Sequence, residues 1–423
     1  MKVLQVNSVV NSGSTGRIAE EIGNVLIDHG HESYIAYGRG NAKSSSQLIK
    51  IGSNIDVYWH GVHTRLTDRH GFASKRATEE FIREAQALEP DLIALHNLHG
   101  YYLHLPTLFD YINKKKLPVV WTLFDCWAFT GHCSYFDDIN CPKWQTHCEK
   151  CPKHNNYPAS YADNSYQNFE QKRQLFTSVR KMEFVNHSHW LGELVKKSFL
   201  SGYPINVTPS AINLDMFKFR SSFLERTHSL GGKKVILGCA STWSNRKGYQ
   251  DFINLAMHLT SDYQIVMIGL SAKELKVLPP NIIGLKRTES IEGLAQWYSL
   301  AFAFVNPTSQ DNFPTTNLEA LACGTPVITY NTGGSPEAID ESTGFVVEKG
   351  DVLGILNAIE KLEALNYELI SQACRARAER LYDKKTRFLD YLDIFERMIK
   401  NEGRSIGEAT GKSQKISSKT VKH

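Results

Sequence analysis

Along the first half of the chain, short runs rich in Val, Ile and Leu recur at 2–9, 32–38, 91–97, 118–125 and 182–188, with helix-period stretches such as 15–30 and 105–115 between them. Runs of that length, apolar on both faces, are strands of a parallel sheet covered by helices on both sides. The alternation then restarts. Runs at 233–241, 263–269, 281–287, 302–307, 325–331 and 344–350 are separated by amphipathic segments at 249–259 and 291–301, which predicts a second doubly wound unit. Longer helical stretches follow at 351–365, 367–382 and 386–400.

Periodicity lapses over 216–232. The expected organisation is a first domain over 1–215, a linker over 216–232, a second domain over 233–383, and a helix over 384–400 crossing back to the first domain. A chain of 423 residues exceeds what one hydrophobic core usually serves, which agrees with two units. From 401 to 423 large apolar side chains almost vanish while Lys and Arg gather, the pattern of a disordered basic tail. Open sheets of this kind bind ligands at the carboxyl ends of their strands, so chemistry is expected in a cleft between two Rossmann-like domains.

Composition narrows the class only a little. With 42% hydrophobic and 22% charged residues the chain is ordinary globular protein. A net charge of +4, well mixed with acids and without a basic stripe among aromatics, excludes nucleic acid as the expected partner. No signal-peptide pattern opens the sequence and no apolar run is long enough to span a bilayer, so a cytoplasmic location is expected. The cysteines are less ordinary. Cys148 and Cys151 form a C-x-x-C knuckle, and Cys133 and Cys141 lie just upstream, inside an insertion over 126–158. Four thiols suit a closed structural zinc site that would fold this segment, with His132 and His147 as alternate ligands and four metal-free thiols as the rival reading. A four-thiolate sphere leaves no open position, so no catalytic cofactor is expected.

The densest chemical signal is DNFPTTNLEALACGTPVITYNTGGSPEAI over 311–339. It reads as a loop, a helix from Thr315, a buried strand, and a Gly-Gly turn opening another helix at Ser335. Loop and helix N-termini offer unpaired N–H groups that suit a diphosphate, and a carboxylate one turn into the helix can accept bonds from ribose hydroxyls. Upstream, Arg246, Lys247 and Gly248 stand between a strand and a helix, where a guanidinium and an ammonium can neutralise a departing nucleoside diphosphate. Near the N-terminus, Gly13, Ser14, Thr15 and Gly16 make a close-approach loop under a helix N-terminus, without the third Gly of the dinucleotide fingerprint.

Together these stretches resemble the family 4 retaining glycosyltransferases. The match runs through Asp311, Phe313, Glu319, Ala320, Cys323, Gly324, Pro326, Val327, Gly333, Gly334, Pro336 and Glu337, and again through Lys247 and Gly248. The resemblance implies the GT-B architecture, an α/β fold of two doubly wound lobes facing across a cleft. It implies that Asp311 lies beside the donor sugar, that Glu319 binds the ribose, and that Gly13, Gly16, Arg246, Lys247, Gly333, Gly334 and Glu337 complete the donor site. Three departures stand out. Asp replaces the usual first Glu, Pro314 stands where Gly is common, and Arg246 must serve for an Arg that the family places at the position of Thr242.

His96 and His99 end the strand run at 91–97; His96 is the better match to the family's sugar-contacting His, and His99 reads as structural or acceptor-shaping. Where relatives carry His-Asp after the next strand, this chain has Phe124 and Asp125. Arg65, Asp68, Arg69 and His70 are candidate acceptor contacts in an unusually polar stretch. The resemblance, closest to capsule and exopolysaccharide enzymes that carry the same cysteine cluster, implies retaining transfer from a UDP- or GDP-sugar. The implied acceptor is a glycan or lipid-linked oligosaccharide at the inner face of the cytoplasmic membrane, with the oligomeric state open. A nucleotide-sugar epimerase of the same architecture and a non-catalytic partner subunit are the alternatives.

Overall fold

The computed structural model describes residues 1–41, 43–220 and 230–407. Seven parallel strands form the first sheet: β1 Lys2–Val9, β2 Glu32–Arg39, β3 Gln47–Lys50, β4 Leu92–Leu95, β5 Val119–Leu123, β6 Met182–Asn186 and β7 Ile205–Val207. Their order is β3-β2-β1-β4-β5-β6-β7, so the strand order reverses between β1 and β4. Six parallel strands form the second sheet: β8 Lys234–Cys239, β9 Tyr263–Ile268, β10 Ile282–Leu285, β11 Ala301–Asn306, β12 Val327–Tyr330 and β13 Gly344–Val347. Their order is β10-β9-β8-β11-β12-β13, reversing between β8 and β11. Ligand crevices open at such reversal points, and each lobe has one.

The first lobe carries α1 Gly13–Asp28, α2 Asn54–Thr67, α3 Lys75–Leu88, α4 Leu105–Lys115, α5 Ser165–Thr177 and α6 His189–Lys196. The second carries α7 Tyr249–Leu255, α8 Ile291–Leu300, α9 Thr315–Ala322, α10 Val352–Glu363 and α11 Tyr367–Tyr382. The chain then returns through α12 Lys384–Arg387 and α13 Leu389–Gly407. On this return Phe388, Tyr391, Leu392, Phe395 and Met398 bury against Val3, Ile18, Ile22, Leu92 and Val120 of the first lobe. Lys384 Nζ reaches Glu21 of α1 at 3.0 Å. The apolar face of this last helix thus completes the core of the first lobe, which fixes one lobe against the other.

The helix runs seven residues past the expected end at 400, and the remainder of the expected basic tail, 408–423, lies outside the described residues. So does most of the expected linker, over 221–229. Among the described residues no helix is long and apolar enough to cross a membrane.

Candidate active site

In the second lobe, the loop after β8 closes on the loop after β11. A short 3-10 turn, Asn245–Lys247, ends at Gly248 with φ 78°, where a Cβ would stand 2.3 Å from Pro307 Cγ and 2.6 Å from its carbonyl oxygen. Only glycine permits that approach. It brings the Arg246 carbonyl to the Ser309 N–H at 2.8 Å, and Arg246 Nη1 donates to the Gln310 carbonyl at 2.8 Å. Lys247 Nζ then meets Asp311 Oδ2 at 2.5 Å. This charge pair sits at the strand-order reversal of the second sheet.

The Gly-Gly turn lies directly beneath. A Cβ on Gly333 would lie 1.8 Å from the Asp311 carbonyl oxygen and one on Gly334 2.1 Å from that of Asn312, while the Gly334 N–H donates to the Asp311 carbonyl at 3.3 Å. These glycines therefore act first as a support that lets two loops touch. The N-terminus of α9 begins after Pro314 with no capping side chain and no acid in its first turn, leaving N–H groups and a positive dipole end for an anion. One turn further, Glu319 accepts from the Tyr298 hydroxyl at 2.8 Å. Desolvation pushes its carboxyl up to about 7, against the opposing pull of Tyr298 and of the Arg17 charge.

Arg17 belongs to α1 of the other lobe, so its effect on Glu319 is felt across the cleft. The N-terminus of α1 is equally open: Ser12 makes no capping bond, the first turn carries no acid, and Gly13 turns the chain at φ 62° with nothing near its missing Cβ. Gly16 packs so tightly that a Cβ would stand 3.1 Å from Val9 Cγ2. Arg17 was not singled out from the sequence. The available signal was its sign, because a cation near a helix N-terminus runs against the dipole.

Beneath this lie the ends of β4, β5 and β6. His96 is buried, its Nε2 bonded to Gln5 Oε1 at 2.9 Å and its Nδ1 without a partner, and burial drives its pKa down to about 3. The Phe124 ring packs 6.3 Å from it and 5.3 Å from His187, which burial likewise pulls down, to about 4. His99 is tied at both nitrogens, to Asp125 Oδ2 at 2.8 Å and to the Tyr157 hydroxyl at 2.9 Å. Both ring nitrogens thus hold neighbouring side chains in place. A second group not foreseen is Tyr135. Carried by the cysteine-rich insertion, it donates to the Phe124 carbonyl at 3.3 Å while the Arg246 guanidinium of the other lobe lies 6.0 Å from its ring. No spacing rule marks it.

Several expected contacts are used otherwise. The Glu337 carboxylate accepts from the His189 and Trp190 N–H groups, each at 2.7 Å, at the N-terminus of α6 in the first lobe. Both oxygens are thereby engaged in a lobe-to-lobe latch, beside the Ser188 Oγ to Asn312 Oδ1 bond at 2.5 Å. Glu337→Ala removes two charge-assisted bonds and a favourable dipole contact, and is expected to cost about 2–4 kcal/mol of stability. A urea midpoint equal to the parent's would contradict that assignment.

Arg69 donates to Asn168 Oδ1 at 2.8 Å and to Gln171, and lies 4.0 Å over the Phe72 ring, which commits it to holding α5 rather than an acceptor. Asp68 is fully buried between His132 and the Asn164 N–H, and His70 is buried with its Nε2 accepting from the Gly100 N–H. Arg65 alone of this group stays exposed, stacked 4.6 Å over the Tyr161 ring.

Cys133, Cys141, Cys148 and Cys151 all line one small cavity, with Trp144 and Phe136. Their thiols are free, and among the described residues no three His, Cys, Asp or Glu side chains are arranged to hold a metal ion. Instead Cys133 hydrogen-bonds Cys151, raising its own pKa and lowering that of Cys151.

Two parallel-sheet lobes, facing each other with open helix N-termini, are the GT-B architecture. Residues 233–364 match the family model described as glycosyl transferases group 1. WcaC of Escherichia coli (strain K12), named as a colanic acid biosynthesis glycosyl transferase, is 25% identical over 380 residues, covering 84% of this chain and 89% of its own. CapM of Staphylococcus aureus, a capsular polysaccharide biosynthesis glycosyltransferase, is 25% identical over 213 residues, 46% of this chain and 55% of its own. Among solved structures, sucrose-phosphate synthase from Thermosynechococcus elongatus superposes with a TM-score of 0.72 at 15% identity over 95% of this chain and 99% of that one. Anabaena HepE in complex with UDP-glucose gives 0.65 at 15% identity over 94% and 100%. The chain is a glycosyltransferase, and its match to the group 1 model lies in the second lobe.

Proposed function

We propose that the protein is a retaining glycosyltransferase of polysaccharide biosynthesis, moving a sugar from a UDP- or GDP-sugar to a glycan or lipid-linked acceptor. The observation that carries this reading is the Lys247–Asp311 pair at the reversal point of the second sheet, with Glu319 one turn into the helix that follows Asp311. The names of WcaC and CapM support the pathway class. HepE, solved with UDP and with UDP-glucose, supports a nucleotide-sugar donor.

In this reading Glu319 takes the ribose hydroxyls, the N-termini of α9 and α1 face the diphosphate, and Lys247 neutralises the charge that grows on it as it leaves. Arg246 and Tyr135 border that charge. Asp311 and the free Nδ1 of His96 are the polar groups offered to the sugar, with His96 a neutral imidazole at pH 7. Transfer with retention proceeds at the leaving-group face. The acceptor oxygen bonds to the anomeric carbon as the bond from that carbon to the phosphate oxygen breaks, and the acceptor proton passes to the departing phosphate. Asp311, already held by Lys247, forms no covalent bond to the sugar; a trapped glycosyl adduct on Asp311 would contradict this path. The cysteine cluster takes no part in it.

A thermal-shift panel of nucleotides and nucleotide sugars tests the reading. One base, free as its diphosphate or carrying a sugar, should raise Tm by several degrees at saturating concentration. Silence across all UDP and GDP compounds would remove the donor assignment.

A further inference from the structure

At the carboxyl edge of the first sheet, three tyrosines stand beside two arginines that the fold does not use. Tyr101, in the loop after β4, lies 4.6 Å from the buried His70 ring and 6.1 Å from the Tyr157 ring. It holds φ 68°, a left-handed backbone that a bulky side chain keeps only where its surroundings fix it, and such positions gather at ligand sites. The Tyr157 hydroxyl is bound at His99 Nδ1, yet the residue is 44% exposed. Tyr161 is 70% exposed and carries the Arg65 guanidinium 4.6 Å over its ring. Its N–H donates to the Arg65 carbonyl at 2.8 Å, which ties the two residues together.

Arg39 ends β2 and Arg65 lies in the last turn of α2. Both are exposed, and neither guanidinium makes a hydrogen bond or an ion pair among the described residues. Both charges are nevertheless felt at the tyrosines. Burial raises the Tyr101 hydroxyl, while Arg39 and Arg65 pull it back; burial raises Tyr157 as well, against Arg39. The loops after β1, β2 and β4, over 10–12, 40–46 and 96–104, contain no acid. Acids on the adjoining segments are engaged elsewhere. Asp125, which acts on Tyr157, is held by His99 Nε2 and the Trp127 N–H at 2.8 and 2.9 Å. Asp163, near Tyr161, accepts from the Cys151 and Ser165 N–H groups at 2.6 and 2.9 Å, and Asp56 closes a capping box at the far end of α2. The two guanidiniums are therefore left without a counter-charge from the chain.

We propose that Tyr101, Tyr157 and Tyr161 together with Arg39 and Arg65 form an acceptor subsite that selects a sugar carrying an anionic group. The C–H face of a pyranose is apolar and weakly positive, so it packs on the electron-rich face of a tyrosine ring, and the phenol hydroxyls remain for its hydroxyls. A guanidinium presents paired N–H donors in a plane, the geometry of a carboxylate or phosphate. A neutral glycan would use the rings and leave both cations unanswered. The anion has two possible sources, a carboxylate on an acceptor ring or a phosphate at its reducing end, and both make the same contact with the arginines. The proposal deepens the functional reading and rests on its assignment of a glycan acceptor to the first lobe.

The test is a saturation-transfer NMR titration of the full chain with cellobiose, cellobiouronic acid and cellobiose 1-phosphate. The protein is first loaded with UDP or GDP, whichever raises Tm, so that the helix N-termini of the donor site do not compete for the anion. At least one anionic probe should bind about tenfold more tightly than cellobiose. A preference for the carboxylate places the charge on an acceptor ring, and a preference for the phosphate alone places it at the reducing end; either upholds the subsite. Arg39→Gln with Arg65→Gln should bring the anionic probes to the affinity of cellobiose, with circular dichroism and the nucleotide thermal shift unchanged. Tyr101→Ala should weaken all three probes alike. Equal affinity across the three in the parent, no binding of any, or a preference that survives in the arginine variant would overturn the proposal while donor binding stands. Absence of a nucleotide thermal shift in the parent would instead count against the functional reading.

Discussion

Lys247→Met is expected to lower kcat/KM by about three orders of magnitude while leaving the protein folded. Two effects add. The ammonium that would meet the growing charge on the diphosphate is gone, and the Asp311 carboxylate, now without its 2.5 Å partner, repels the same charge. Arg246 cannot take over, because its guanidinium is committed to the Gln310 carbonyl and leaned toward the Tyr135 ring. The fold has little stake in the pair. Both side chains remain partly exposed, 25% and 18%, and pairs so near solvent contribute little to stability, so Tm should hardly move. The loss should fall mainly in kcat. A variant that changes KM alone would make Lys247 a ground-state binding group and remove it from the leaving-group role.

What the sequence could convey about this molecule depended on how local each feature is. The strand runs were readable because Val, Ile and Leu fill both faces of central strands such as β4 and β5, every residue of which is buried. Two edge strands escaped notice. β3 and β7 are short, without a single fully buried residue, so no apolar run announces them. Lys247, Asp311 and Glu319 were readable because turn glycines, a helix start and the acids lie within short stretches of chain. Glu337 lies in the same stretch, yet its partner N–H groups stand 148 and 147 residues away, and its use as a latch could not be seen from its neighbours. Arg69 is similar, with a partner 99 residues distant. For the cysteines, spacing grouped four thiols in one insertion, and all four line one cavity, but spacing carries nothing about the direction of each sulfur. Tyr135 had no signal, since its place depends on how the whole insertion folds against β5 and the opposite lobe.

The second large effect is expected at Glu319, as a coupling of nucleotide binding to protons. Its folded pKa, raised to about 7 chiefly by desolvation, lies above the ordinary glutamate value of 4.5. The unliganded fold therefore holds a proton that the unfolded chain would release, so this group's contribution to stability is present below pH 4.5 and is lost as pH rises through about 7. A ribose diol reverses the preference, because two hydroxyls can donate to a carboxylate and only the ionised form accepts both. Binding of the nucleotide sugar, whose diphosphate has no group titrating near neutral pH, should at pH 6 expel about one proton, and affinity should climb between about pH 5 and pH 7 before levelling off. Arg17, whose charge already favours the carboxylate from across the cleft, strengthens the same direction. Glu319→Gln should abolish the proton release, flatten the pH dependence and weaken binding by about one to two orders of magnitude, the loss expected for bonds to a charged acceptor. Calorimetry in two buffers of different ionisation enthalpy measures the proton directly. Equal proton release in the parent and in Glu319→Gln would mean that another group titrates, and the ribose would have to be sought elsewhere in the cleft.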